Sequence, residues 1–326
     1  MKDTARKQPD LPERRPPALQ RLPGTAPFIL ETVADDDYAL IDSGDGRKLE
    51  RYGPLLIDRP EGQALWQKAL DEKAWRQADA VFTGDTDEEG PGTGSGRWRY
   101  PRQPLGETWP LAWNGLSYMG RFTSFRHVGV FPEQAAHWRF VEEQIGAAAK
   151  RGRQPRLLNL FGYTGLASLV AARAGAHVTH VDASKKAIGW ARENQELAKL
   201  NDKPIRWICD DAVKFCEREV RRGNTYDAVL LDPPKYGRGP KGEVWQLFEQ
   251  LPHMMDVVRE LVGSKPLFVV LTAYSIRASF FALDEIMQEV FGDAGGSIES
   301  GELVIRTLDS DRRLSTSLFS RWVAPS

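Results

Sequence analysis

Residues 229–242 read VLLDPPKYGRGPKG, an apolar run that stops on one carboxylate, Asp232, before two prolines and a basic, glycine-bearing loop. Pro233 and Pro234 each fix φ and remove an N–H donor, so the turn presents Asp232 and its carbonyls as rigid acceptors. Such acceptors can hold an exocyclic amine or polarise a ring nitrogen. An isolated Asp-Pro-Pro is equally a plain strand exit, so comparable positions elsewhere in the chain decide its weight. The run RLLNLF (156–161) leads into Gly162-Tyr163-Thr164-Gly165, a G-x-x-G turn that suits a ligand without phosphate better than a pyrophosphate. The run HVTHVD ends on Asp182, 20 residues after Gly162, where an acid can accept both hydroxyls of a ribose. The run IRWIC leads to Asp211, whose carboxylate, with the Ala212 amide, can hold an adenine amino edge. Any one of these acids could instead be a helix N-cap or a turn former. Four consecutive strand ends carrying Gly-x-x-Gly, Asp182, Asp211 and Asp232 point to a nucleoside-like cofactor lying across them.

Those residues need elements to carry them. From about residue 130 apolar runs alternate with amphipathic stretches. Strands are expected at 156–161, 177–182, 205–209, 227–232 and 266–273, with helices at 164–175, 184–200, 212–222, 243–261 and 279–292. Ser184 is a natural N-cap, and Pro252 should kink its helix. Residues 301–308 and 314–323 read as two strands with no helix between them, hence antiparallel to each other. The expected fold is α/β: a seven-stranded Rossmann-like sheet of the methyltransferase type, preceded by a small N-terminal β-rich domain.

That domain is expected over 28–126. Residues 38–53 read as a hairpin turning at Ser43–Gly46, residues 60–75 as a helix, and residues 84–96 as a solvated loop. WRYP, TWPLAWNGLSYMGRF and FRHVGVF suggest short strands, and the tryptophans at 66, 75, 98, 109 and 113 read as core. Residues 1–27 carry six prolines and six basic against three acidic residues, which reads as a disordered tail.

Composition bounds the partners. Hydrophobic residues make up 41% and charged residues 27%, with no apolar run long enough to span a membrane. A net charge of −1 argues against a protein held to nucleic acid by bulk electrostatics, though not against a local basic patch. The five histidines form no H-x-x-x-H pair, and the two cysteines, Cys209 and Cys216, have no metal spacing, so no metal is expected. The thiols read as reduced, in a cytoplasmic protein.

LLNLFGYTGLAS, VDASKKAIGWARENQ, CDDAVKF and LLDPPKYGRG together resemble the successive cofactor motifs of class I S-adenosylmethionine-dependent methyltransferases. More narrowly, residues 125–326 resemble the bacterial large-subunit ribosomal RNA methyltransferase group that contains the cytosine-C5 enzymes, and GVFPEQAAHW (129–138) resembles the segment before its first motif. The resemblance implies S-adenosyl-L-methionine as cofactor and RNA as partner, with a domain over 127–326. It implies that Phe161, Gly162, Tyr163, Thr164 and Gly165 line the methionine side. Asp182 would bind the ribose, with Ala183 beside the adenine and Ser184 also on the cofactor; Asp211 and Ala212 would fix the adenine amino edge, and Glu133 and Gln134 would enclose the cofactor. Asp232, Pro233 and Pro234 would lie between methyl donor and acceptor.

One departure bears on the reaction. Pyrimidine C5 methylation needs a cysteine thiolate that adds to C6. The related C5 enzymes carry it after the fifth strand, where this chain reads LTAYSIRA (271–278), without cysteine. The expected acceptor is a nitrogen or another atom that needs no covalent catalyst, with a small molecule or a protein as the alternative substrate. Lys235, Tyr236, Arg238, Lys241, Tyr274 and Ser275 are the candidate substrate contacts, and Arg97, Arg99, Arg102, Arg121 and Arg126 could extend a positive surface. A homodimer is left open.

Overall fold

A computed structural model describes residues 26–325 apart from 36, 85–95, 275 and 277. The expected tail therefore lies largely outside the described residues, as do most of the expected 84–96 loop and Ser275. The first part of the chain contains β1 (Phe28–Thr32), β2 (Tyr38–Gly44), β3 (Arg47–Tyr52), β4 (Leu55–Pro60), α1 (Glu72–Trp75), β5 (Ala80–Gly84), β6 (Gly96–Arg99), β7 (Thr108–Trp113) and β8 (Leu116–Arg121). The second contains a 3-10 turn (Pro132–Gln134), α2 (Ala135–Lys150), β9 (Arg156–Leu160), α3 (Leu166–Arg173), β10 (His177–Asp182), α4 (Lys185–Leu197), β11 (Ile205–Cys209) and α5 (Ala212–Arg221). It continues with β12 (Ala228–Leu231), β13 (Tyr236–Arg238), β14 (Val244–Gln246), α6 (Leu247–Leu261), β15 (Phe268–Tyr274), α7 (Phe280–Phe291), β16 (Ser297–Arg306) and β17 (Arg313–Val323).

The seven expected strands form one sheet, and an eighth joins them: the order is β1-β16-β17-β15-β12-β9-β10-β11. β17 runs antiparallel to both β15 and β16, while the other pairings are parallel. The eighth strand, β1, comes from the segment expected in the small domain; it pairs Phe28 with Gly301 and Thr32 with Ile305. The central strands alternate strictly. Leu158, Leu160, Val229, Leu231, Val269 and Leu271 pack with α5, α6 and α7, whereas Leu157, Ala228, Leu230, Phe268 and Val270 pack with α2 and α3. Each fully buried Val, Leu or Phe contributes about 1.5–3 kcal/mol, so this two-faced core is what fixes the strand ends.

The remaining N-terminal strands form a five-stranded sheet, β2-β3-β4-β5-β6, and the β7–β8 hairpin. Tyr38, Leu40, Tyr52 and Ile57 share one buried cluster with Trp138, Leu166, Leu169 and Ile305 of the large unit, so the two units have a continuous core. Of the five tryptophans expected there as core, Trp75, Trp109 and Trp113 are buried, and Trp66 and Trp98 half-buried.

Three expectations fail locally. Residues 60–75 are helical only over Glu72–Trp75. The backbone there is recruited elsewhere: the Ala69 and Leu70 amides donate to Asp42, Asp45 N donates to Trp66 O, and Gly46 N to Ala64 O. FRHVGVF (125–131) forms no strand and runs irregularly toward the 3-10 turn. Residues 244–246, expected in a helix, form β14 and pair with Tyr236–Arg238, so the expected basic loop is a short hairpin.

Candidate active site

β9 is central, and the chain leaves it in two directions: through α3 to β10 and β11 on one side, and through α5 back to β12 on the other. The exits of β9 and β12 therefore diverge, which opens a crevice at the carboxyl ends of the strands. A cavity of about 470 Å³ sits there, within the range of small-molecule and cofactor sites.

The β9 exit is a strained turn. Phe161 and Tyr163 hold φ of 57° and 52°, a region that non-glycine residues rarely occupy and that clusters at functional sites. Both line the cavity. The flanking glycines also meet a packing requirement. A Cβ on Gly162 would lie 2.4 Å from His180 Cε1, and one on Gly165 (φ +84°) would lie 2.9 Å from Ala191 Cβ and 3.0 Å from the Trp207 ring. Their absence of side chain is required by packing beneath the turn. Thr164 is buried and donates its hydroxyl to Gly129 O at 2.6 Å. Gly162, Thr164 and Gly165 do not line the large cavity.

Asp182 ends β10 with its carboxylate fixed by two amides: Tyr163 N donates to Oδ2 (2.9 Å) and Ser184 N to Oδ1 (2.8 Å). Burial raises its pKa and these amides oppose the rise. Ser184 caps α4 by accepting from Ala187 N at 3.2 Å. Asp211 is the N-cap of α5, its Oδ1 accepting from Lys214 N at 2.9 Å. Asp182, Ala183, Ser184, Asp211 and Ala212 together make one side of the cavity.

Asp232 faces them. Gln134 Nε2 donates to its Oδ2 at 3.0 Å. Burial, reinforced by the buried Glu133 carboxylate, pushes the Asp232 pKa up to about 7. Pro234 does not offer a free acceptor, because the Trp245 indole donates to its carbonyl at 2.6 Å. The Trp245 ring also packs 4.8 Å from Phe161, tying the β12 exit to the β9 exit. Among the described residues, Asp232 Oδ1 and the Pro233 carbonyl are left without a hydrogen-bond partner.

The hairpin β13–β14 walls the other side, contributing Lys235, Tyr236, Arg238 and Trp245. Lys241 does not line the cavity; its amide donates to Glu243, which pairs with Lys214 of α5 at 2.8 Å. That lysine and the local amides draw the Glu243 pKa down to about 2. Tyr274 lines the cavity, and Arg126 donates to its hydroxyl at 2.8 Å. The expected arginine surface is smaller than its sequence clustering implied. Arg97 and Arg99 are exposed on β6, but Arg102 pairs with Asp79, Arg121 with Glu193, and Arg126 is buried.

Sequence reasoning missed Phe125, His127, Phe131, Trp245 and Ser317, all of which line the cavity. The signal present was the aromatic spacing of FRHVGVF, which alternation made look like a strand. Neither cysteine lines the cavity. Cys209 donates to Ala183 O at 3.6 Å, and its pKa is raised by burial and by Asp182 and Asp210; Cys216 is wholly buried and its thiol is pushed far up. Among the described residues no His, Cys, Asp and Glu cluster is arranged to hold a metal, and no helix is long and apolar enough to cross a membrane.

Comparisons with known proteins agree with this geometry. Residues 94–290 match the family model described as S-adenosylmethionine-dependent methyltransferase. A crystal structure titled as the SAM-dependent methyltransferase from Agrobacterium tumefaciens is 59% identical, covers 91% of this chain and 93% of its own, and superposes with a TM-score of 0.86. Among curated relatives, the ribosomal RNA large subunit methyltransferase K/L of Colwellia psychrerythraea is 32% identical over 42% of this chain and 19% of its own length. The ribosomal RNA large subunit methyltransferase I of Aeromonas hydrophila is 37% identical over 28% of this chain and 23% of its own length. The matched part of this chain thus spans about a fifth to a quarter of those curated relatives. The cofactor is S-adenosylmethionine, and the residues present fit it: an acid at the end of β10 pinned by two amides, a second acid at the start of α5, and a cavity of adequate size between them. The chain belongs to the family of S-adenosylmethionine-dependent methyltransferases.

Proposed function

We propose that the protein methylates a nitrogen of a ribosomal RNA base, by in-line transfer and without a catalytic cysteine, in the cytoplasm. The observation that carries this reading is the pair of open acceptors, Asp232 Oδ1 and the Pro233 carbonyl, beside the cofactor residues. When bound, the cofactor supplies an already activated sulfonium methyl group. The chain then has to hold, orient and deprotonate the acceptor. Asp182 holds the ribose, and Asp211 with Ala212 the adenine edge. Asp232 and the Pro233 carbonyl take the two hydrogens of an amine, aiming its lone pair, and such placement supplies much of the rate. With its pKa near 7, Asp232 is matched to receiving the proton at physiological pH. Lys235 and Arg238 sit where they can pair with phosphates. The unactivated thiols of Cys209 and Cys216, both outside the cavity, support the absence of C5 chemistry. The names of the curated relatives support ribosomal RNA as substrate.

A net charge of −1 favours a second reading, a small-molecule or protein substrate. Tritiated methyl transfer to ribosomal RNA from a deletion strain separates the two. Label in RNA at a base nitrogen, by mass spectrometry, and full activity of the Cys209→Ser, Cys216→Ser double variant are expected. Label confined to proteins or metabolites overturns the RNA reading, and loss of activity in the double variant overturns the cysteine-free mechanism.

A further inference from the structure

Phe125 is 51% exposed, yet it is part of the cavity lining. The same cavity is lined by a set of packed rings. His127 packs against Phe131 (4.8 Å between ring centroids) and Tyr274 (5.9 Å), and Phe131 packs against Tyr163 (5.7 Å) of the β9 exit. Tyr236, 39% exposed, lines the same cavity from the β13–β14 hairpin, with Lys235 Nζ 5.4 Å from its ring centroid. A single exposed aromatic means little, but one that shares a cavity with packed rings and two cations fits a recognition surface. Planar rings beside Lys235 and Arg238 fit a ligand with flat faces and an anionic backbone. A duplex cannot deliver a base to this depth, since the base must first leave its stack.

We propose that Phe125 is the entry platform for an unpaired nucleotide, its ring stacking on a base of a single-stranded RNA segment while the packed rings guide the target base to Asp232. This rests on the RNA reading above. None of the motifs that define the cofactor site contains Phe125, which belongs to the irregular segment joining the N-terminal strands to the large sheet.

The test uses the full-length protein, deletion-strain ribosomal RNA for methyl uptake, and a fluorescein-labelled 16-nucleotide single-stranded RNA for binding. Base–aromatic stacking of about 1–3 kcal/mol corresponds to roughly 5- to 150-fold in affinity. Phe125→Ala is expected to weaken single-strand binding and raise the KM for ribosomal RNA within that range. Phe125→Tyr should restore both, Phe125→Leu should not, and calorimetric affinity for S-adenosylmethionine should stay the same in all three. Wild-type behaviour of Phe125→Ala overturns the platform while leaving the RNA reading standing, as does full restoration by Phe125→Leu. A wild-type protein that neither binds nor labels RNA overturns both.

Discussion

The proposed reaction runs through Asp232, a carboxyl group whose proton is held to about pH 7 rather than the ordinary 3.8. Between those values the folded chain binds more protons than the unfolded chain, so this residue costs stability progressively as pH rises from about 4, and the cost levels off above 7. Asp232→Asn should therefore gain thermal stability over wild type as pH increases from 4 to 7, with a constant advantage beyond; a gap that shrinks with pH would contradict the assignment. The same group, once ionised, is the proton acceptor of the proposed reaction. Wild-type turnover should climb through about pH 7, and the Asn variant should be pH-independent and roughly 100- to 10,000-fold slower. A bound sulfonium cation favours the ionised carboxylate, so saturating cofactor should move the wild-type midpoint downward. The acids at 182, 211 and 232 were legible as residues because they follow apolar runs. Their surroundings were not. Asp211 spends one oxygen on a helix cap, and the Gly162 and Gly165 requirements come from His180, Ala191 and Trp207, partners that only the folded chain brings near.

At the scale of elements, the β13–β14 hairpin locks the Asp232-Pro233-Pro234 turn. Trp245 donates to Pro234 O and packs on Phe161, Leu247 N donates to Lys235 O, and Glu243 anchors the hairpin to Lys214. Trp245→Phe keeps the ring and removes the donor. It should lower turnover about 3- to 10-fold, the worth of one hydrogen bond, and leave cofactor affinity within about twofold. Trp245→Leu removes the ring as well and should weaken cofactor binding through Phe161, which calorimetry would register. Strands and helices of the large sheet could be read from periodicity because buried parallel strands give continuous apolar runs and their helices give a 3.6-residue repeat. The hairpin could not, because three-residue strands carry no usable period. The 60–75 helix was misread because Asp42 and the turn at Gly44–Gly46 outbid the local propensity for its backbone groups.

On the scale of the molecule, the N-terminal strands are not an appended module. They share a buried cluster with α2, α3, β16 and β17, and Arg59 and Arg126 tie β4 to the cavity wall by donating to Arg126 O and Pro60 O respectively. Buried Glu50 completes this tie at 2.6 Å from Arg59, a pairing that is costly to break from one side. A chain beginning at residue 127 should lack a cooperative thermal transition and expose apolar surface to a dye such as ANS; a cooperatively folding fragment would show that the large sheet stands alone. The edge strand β1 carries a kinetic consequence. Its partner Gly301 lies 273 positions further along the chain than Phe28, so this edge of the sheet stays open until the β16 segment has left the ribosome. Loop closure over that span is slow and leaves an unpaired strand edge exposed in the meantime. The register therefore predicts that β1 joins the sheet edge later than the locally paired strands form.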